Sequence, residues 1–184
     1  MKIQSTNLHV NPEVDQYPEE LQMLIVALKS YVLSTAMFSF FSVPISLLFV
    51  AGSTTVYSKA VKIVTFQMMN DKKFKITKKL FAQISNIPTV ETFYEVSHEQ
   101  VLHMFNKIGH QPVLNGISLF RKSSLPCVCS FLFEIILRCL TGRSLGLYKA
   151  KLEVYAMLSG IYYDLNVYYA TQLWEEFGSL ITHT

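Results

Sequence analysis

Residues 125–140 read LPCVCSFLFEIILRCL, and this stretch decides the fold. Apart from Pro126 and the cysteines, its only polar residues are Ser130, Glu134 and Arg138. They recur every fourth position, so on a helix they form one narrow stripe. The rest of the circumference is apolar, which predicts a helix buried on nearly all sides. Glu134 precedes Arg138 at i, i+4, the favourable order for an ion pair on a helix. Ser123 or Ser124 is placed to cap the start, Pro126 falls in the tolerant first turn, and Gly142 is placed to stop the helix. The expected architecture is mainly α: about six helices around this central one, with one small β-hairpin at 61–76.

The surrounding composition bounds the class. The chain has 184 residues, 51% hydrophobic and only 16% charged, with a formal net charge of +3. That length fits one domain with a real core, expected over 18–184 after a flexible lead-in over 1–17. The mild charge does not by itself imply nucleic acid. Three cysteines, an odd number, make no disulfide framework and fit a reducing compartment. The polar, acidic N-terminus carries no secretory signal. The expected location is cytoplasmic or nuclear.

Outward from the centre, caps and periodicity place the other elements. A helix opens at Pro18 with Glu19 and Glu20 in its first turn, and Leu21, Leu24, Ile25 and Leu28 form its apolar face. Residues 30–58 contain no charge, and 31–51 is long enough to span a bilayer. Its serines and Pro44 favour a short helix broken before an extended segment instead. A single-span membrane anchor over 31–51 is therefore the alternative reading, with the membrane as partner and location. Residues 61–68, rich in β-branched types, turn at Asn70-Asp71-Lys72 and return as a second strand. Thr77 caps a short helix, and Ser97 with Gln100 forms a capping-box pattern for a helix that Gly109 stops. A later helix ends at Gly160. Asn166 caps the last one, whose Ala170, Leu173, Trp174, Phe177 and Ile181 share a face. That face is expected to pack against the 125–140 helix, with the Ser130–Glu134–Arg138 stripe turned to water or a polar loop.

Few residues point to chemistry. Cys127, Cys129 and Cys139 lack finger spacing, and on a helix the first two diverge by about 200°, so buried small hydrophobes is the default reading. His103 and His110 read as solvated histidines near a helix end. The adjacent Glu175 and Glu176 diverge by about 100° and read as a solvated face rather than an acid/base couple. No nucleophile elbow, P-loop, zincin or dinucleotide motif occurs, so no enzyme, cofactor or metal is expected. Lys59, Lys62, Lys72, Lys73, Lys75, Lys78 and Lys79, against Asp71 alone, make the hairpin region the most basic part of the chain. They are the candidate nucleic-acid contacts, although a solvated face is the commoner meaning of scattered lysines. The tyrosines Tyr162, Tyr163, Tyr168 and Tyr169 read as core and rim.

Three segments, MFNKIGHQPVLNGISLFRKSSLP (104–126), ILRCLTGRS (136–144) and GIYYDLNVYYATQLWEEF (160–177), carry a more specific signal. They resemble an uncharacterised domain encoded by plant retrotransposons, in gag-like and gag–pol frames and plant transposon proteins. The matching positions are Gly109, Pro112, Phe120, Lys122, Leu125, Pro126, Leu140, Gly160, Tyr162, Leu173 and Trp174. SVPISLLFVAGSTTVY (42–57) and VTFQMMNDKKFKITKKLFAQISNIP (64–88) resemble the family's opening, so about residues 20–182 are covered. The chain departs from the family in its apolar ISLLFVAG, in lacking a Gly near Asp164 and in lacking an acid near Tyr168. The resemblance implies a mostly helical, non-enzymatic structural or interaction module with no catalytic residues to transfer. Self-association or other retroelement proteins are the expected partners, and the lysines noted above add RNA or DNA. Because no protease, polymerase or zinc knuckle is present, it also implies a fragment or truncated copy of an element. Pro126, Glu134, Arg138, Gly160 and Trp174 are the expected structural anchors.

Overall fold

A computed structural model describes residues 10–39, 44–89, 93–141 and 152–182. The chain is mainly helical with a small antiparallel sheet. Among the described residues there are eight α-helices rather than about six. They are α1 (Glu19–Lys29), α2 (Ser34–Phe38), α3 (Ile45–Thr54), α4 (Lys78–Ile84), α5 (His98–Lys107), α6 (Cys127–Ile135), α7 (Leu152–Tyr163) and α8 (Tyr169–Thr182). The sheet has three strands rather than two: β1 (Val56–Ser58), β2 (Ile63–Gln67) and β3 (Lys73–Thr77), in that order. β1 was invisible to periodicity because three residues are too short to show alternation.

Several caps are made as the sequence requires. Ser97 Oγ accepts the Gln100 N–H at 3.2 Å while Gln100 Oε1 accepts the Ser97 N–H at 2.8 Å. Thr77 Oγ1 accepts the Leu80 N–H at 3.2 Å, and Gly109 leaves α5 at φ +91°, where only glycine is unstrained. Others differ. α1 begins at Glu19, with Pro18 as its N-cap. Ser123 and Ser124 lie in a 3-10 turn, and Pro126 is the N-cap of α6, which has no side-chain cap. Asn166 does not cap α8, which starts at Tyr169; its carbonyl takes the Tyr94 N–H at 2.8 Å. α7 runs past Gly160 to Tyr163. That glycine is a point of close approach, not a stop: a Cβ there would collide with the Tyr169 hydroxyl and lie 2.8 Å from Val167 Cγ2. The expected stop at Gly142, and the turn that follows it, lie outside the described residues, as do 1–9 of the lead-in. Within 10–17, Val10 is buried and its N–H reaches the Met37 carbonyl at 2.9 Å.

The central apolar run forms α6 and continues as a π-helical segment, Ile136–Leu140, closed by the Thr141 N–H on the Ile136 carbonyl. It is buried through residues 132–133 and 135–137, whereas Cys127 at its start is exposed. Glu134 bonds Arg138 at 2.6 Å and also Lys122 from the preceding 3-10 turn. The polar stripe is thus half-buried under a loop.

Two aromatic clusters hold the elements together. In the first, Phe120 from the α5–α6 link sits 4.4 Å from Phe105, 5.1 Å from Phe133 and 5.1 Å from Tyr155, joining α5, α6 and α7. His110, expected to be solvated, is 1% exposed beside them. Its Nδ1 lies 2.9 Å from the Pro112 carbonyl, and its Nε2 accepts the Arg121 N–H at 3.2 Å. A carbonyl on one nitrogen and an N–H on the other specify the neutral tautomer protonated at Nδ1. In the second cluster, Trp174 of α8 meets Tyr57, Phe81 and Phe177 at 6.2, 5.5 and 5.8 Å. Its ring partners therefore come from β1, α4 and α8 itself, not from the central helix as the sequence pattern led us to expect. Its neighbour Leu173 faces Cys139, Leu140 and Thr141 across a cleft of about 260 Å³.

The uncharged run 30–58 does not form one helix. Ser39 and Pro44 are both extended, with ψ of 131° and 133°, and separate α2 from α3. Among the described residues no helix is long and apolar enough to cross a membrane. α3 leads directly into the sheet: Thr54 Oγ1 accepts the Gln67 N–H at 2.9 Å, continuing the β1–β2 register. No described side chain of α3 is buried, and Leu48 and Phe49 are exposed.

Two substitutions test this packing. Trp174→Ala should cost about 3–5 kcal/mol in denaturant unfolding. Trp174→Phe should cost less, because the buried indole Nε1 has no acceptor among the described residues. Native tryptophan emission should be blue-shifted and should move red on unfolding. His110→Phe should cost about 1–3 kcal/mol for each backbone group it leaves unpaired, although it preserves a ring in the cluster.

Candidate nucleic-acid interface

The hairpin register explains where the lysines go. Pairing of Thr65 with Lys75 and of Gln67 with Lys73 puts Lys73 and Lys75 on one face of β3 with Thr77. All three are exposed, while Phe74 and Ile76 alternate to the other, half-buried face. Two strand rises separate the two lysines, so their Cα atoms lie about 7 Å apart. Phe66 and Phe74 stack at 5.2 Å on the opposite face, and Lys72 Nζ is 5.5 Å from the Phe74 ring centre. Asp71, at φ +59° in the turn, is engaged by Gln67 Nε2 at 2.6 Å.

Not all seven lysines are available. Lys62 binds Glu175 of α8 at 2.7 Å, which raises its pKa above the usual lysine value. Lys78 Nζ donates to Thr171 Oγ1 at 3.1 Å and lies 5.1 Å from the Tyr168 ring centre. Lys59, Lys72, Lys73, Lys75 and Lys79 are exposed, and among the described residues no carboxylate pairs with them. The structure thus divides the basic stretch into five surface cations and two that tether the sheet and α4 to α8.

An aromatic surface that sequence pattern does not reveal adjoins this stretch. Phe93 stacks on Tyr168 with ring centres 4.3 Å apart and planes 25° apart. Because Lys78 reaches the same Tyr168 ring, the lysine region and the aromatic stack share one residue. Phe93 remains 43% exposed and Tyr94 44%. Tyr94 is held by its N–H on Asn166 and by Gln100 Nε2 on its hydroxyl. The only sequence signal was an aromatic pair in a stretch without helical or strand periodicity.

The remaining candidates fall into place around the core. Tyr162 and Tyr163 meet edge to face, and Tyr163 Oη lies 3.1 Å from Nδ1 of the exposed His103. Tyr169 is buried and bonded to Tyr31 at 2.8 Å; burial, then that bond, push its phenol far above the usual tyrosine range. Glu176 is buried rather than solvated, at 3% exposure, whereas Glu175 stays at the surface with Lys62. Among the described residues no three His, Cys, Asp or Glu side chains could jointly hold a metal ion. Burial raises the Cys129 thiol and pushes Cys139 up to about 11, partly offset by Arg138. Cys127 is exposed, and its hydrogen bond to Glu20, followed by slight desolvation, raises its pKa.

Comparison of the chain with protein-family models, with curated proteins and with solved structures finds no match.

The thiols provide a direct check on this geometry. A thiol with a pKa of about 11 is ionised to about one part in a thousand at pH 8 and gains reactivity only as pH rises towards that value. Alkylation of the folded chain at pH 8, read by peptide mass spectrometry, should therefore leave Cys139 largely unmodified. Cys127 should react first because it is exposed, and all three should react in denaturant.

Proposed function

We propose that this chain is a non-enzymatic interaction module of the retroelement gag-like kind that contacts the phosphate backbone of RNA or DNA through its hairpin. The proposal places it in the cytoplasm or nucleus. One observation carries the reading: Lys59, Lys72, Lys73, Lys75 and Lys79 stand exposed around a short sheet with no paired carboxylate among the described residues. Lysines arranged in this way neutralise phosphates and release counterions, which gives affinity without sequence preference. The sheet presenting them is tied down by Lys62 on Glu175 and Tyr57 on Trp174, so the cations project from an anchored surface.

Binding of a dye-labelled oligonucleotide, followed by anisotropy across a salt series, tests the reading. Affinity should fall steeply with salt. Replacing Lys72, Lys73, Lys75 and Lys79 by alanine should weaken binding for every sequence and flatten the log–log salt slope by about 1 for each phosphate no longer neutralised. Lys78→Ala is a poor probe because its ammonium is committed to α8. Absence of binding at low salt, or binding indifferent to salt, would overturn the proposal.

A further inference from the structure

We infer that the bound form is single-stranded nucleic acid, with unpaired bases stacking on Phe93 and Tyr94 beside the lysine hairpin. This inference rests on the phosphate-contact reading above and specifies the ligand class of the same surface.

Sequence-blind binding of single strands needs two adjoining parts: cations that follow the backbone and aromatic faces on which bases stack. Both occur here, and they meet at one residue. β3 carries Lys73 and Lys75, and α4 begins immediately after it with Lys78 and Lys79. Lys78 spans to the Tyr168 ring, whose stacking partner is Phe93. Lys78 and Phe93 thus both contact the Tyr168 ring, and Phe93 keeps exposed surface on which a base could stack.

The aromatic surface is also pre-organised. Phe93 is held at 4.3 Å against Tyr168, which immediately precedes α8. Tyr94 is fixed by a backbone bond to Asn166 and by the side chain of Gln100, which also closes the α5 capping box. Rings held in place lose little freedom when a base arrives. Despite that anchoring they are not covered: both stay more than two-fifths exposed. Glu95 and Glu99 follow Tyr94 in the chain and are exposed, so the phosphate track is assigned to the lysine side and the bases to the rings. A duplex keeps its bases stacked inside and could use only the lysines, whereas a single strand can use both parts.

The test uses the full chain and three probes of equal length: a single-stranded DNA, a single-stranded RNA and a DNA duplex, compared at low salt. Either single strand should bind at least about ten-fold more tightly than the duplex. Phe93→Leu, which keeps apolar bulk over Tyr168 but removes the ring, should weaken single-strand binding by roughly five-fold or more with duplex binding and salt slope unchanged. Tyr94→Leu should act in the same direction, while Tyr94→Phe, which keeps the ring but loses the hydroxyl held by Gln100, should weaken binding less than Tyr94→Leu. Thermal unfolding confirms that each variant is folded. Equal affinity for single strand and duplex, or insensitivity to Phe93→Leu in a folded variant, would overturn the single-strand inference while leaving lysine-dependent phosphate binding standing. No binding of any probe at low salt would overturn both.

Discussion

The fold depends on one loop side chain placed where three helices converge. Phe120 belongs to the irregular link between α5 and α6, yet it is 2% exposed and touches rings from α5, α6 and α7. A loop can deliver a residue into a core only if its own backbone polar groups are satisfied. His110 meets that condition here: one imidazole takes the Arg121 N–H and approaches the Pro112 carbonyl, closing the loop on itself. Asn106 adds two bonds to the backbone of Leu114, at 3.0 and 2.7 Å. The loop is thereby fixed at both ends, and Phe120 can act as part of the packing surface.

The sheet is joined to the helices by a different device. It is too small to be stable by itself, and three strands need a packed face. Tyr57 on β1 supplies that face by lying edge-on to Trp174, against Gly178 of α8. A Cβ at Gly178 would come within 2.6 Å of the Tyr57 ring, so the absence of a side chain there sets how closely strand and helix approach. The Lys62–Glu175 pair and the Lys78–Thr171 bond reinforce the same junction from the rim. Consequently α8 braces the sheet and α4, and its Leu173 lines a cleft shared with Cys139, Leu140 and Thr141 at the end of the central helix.

This arrangement separates structure from surface chemistry. Side chains with demanding partners, such as His110, Tyr169 and the Glu134 cluster, lie within or beside the helical core. Lys59, Lys72, Lys73, Lys75 and Lys79 and the exposed rings of Phe93 and Tyr94 lie around the hairpin, α4 and the approach to α5, while Phe49 and Tyr162 are exposed elsewhere. An anchored sheet edged with lysines also resists pairing with another strand, since charge on an edge strand discourages association. Its exposed cations are therefore compatible both with staying unpaired to other strands and with the proposed phosphate contacts.

Local rules were enough to read the capping box at Ser97 and Gln100, the Thr77 cap, the Gly109 exit and the apolar centre at residues 132–137, because each depends on residues within a turn or two of one another. The lysine hairpin was legible for the same reason. Tertiary packing decided the rest. Gly160 looked like a helix stop, but the Tyr169 hydroxyl, brought back by the turn between α7 and α8, needs the space that a side chain would fill. Trp174 was placed on the buried face of its helix, while its ring partners come from β1, α4 and α8 itself, since periodicity identifies a buried face without identifying what covers it. His110 looked solvated because its partners are backbone atoms, which leave no trace in side-chain pattern. The same limit hid the aromatic surface: Phe93 and Tyr168 stack only once the chain has folded back, and no spacing rule joins residues so far apart.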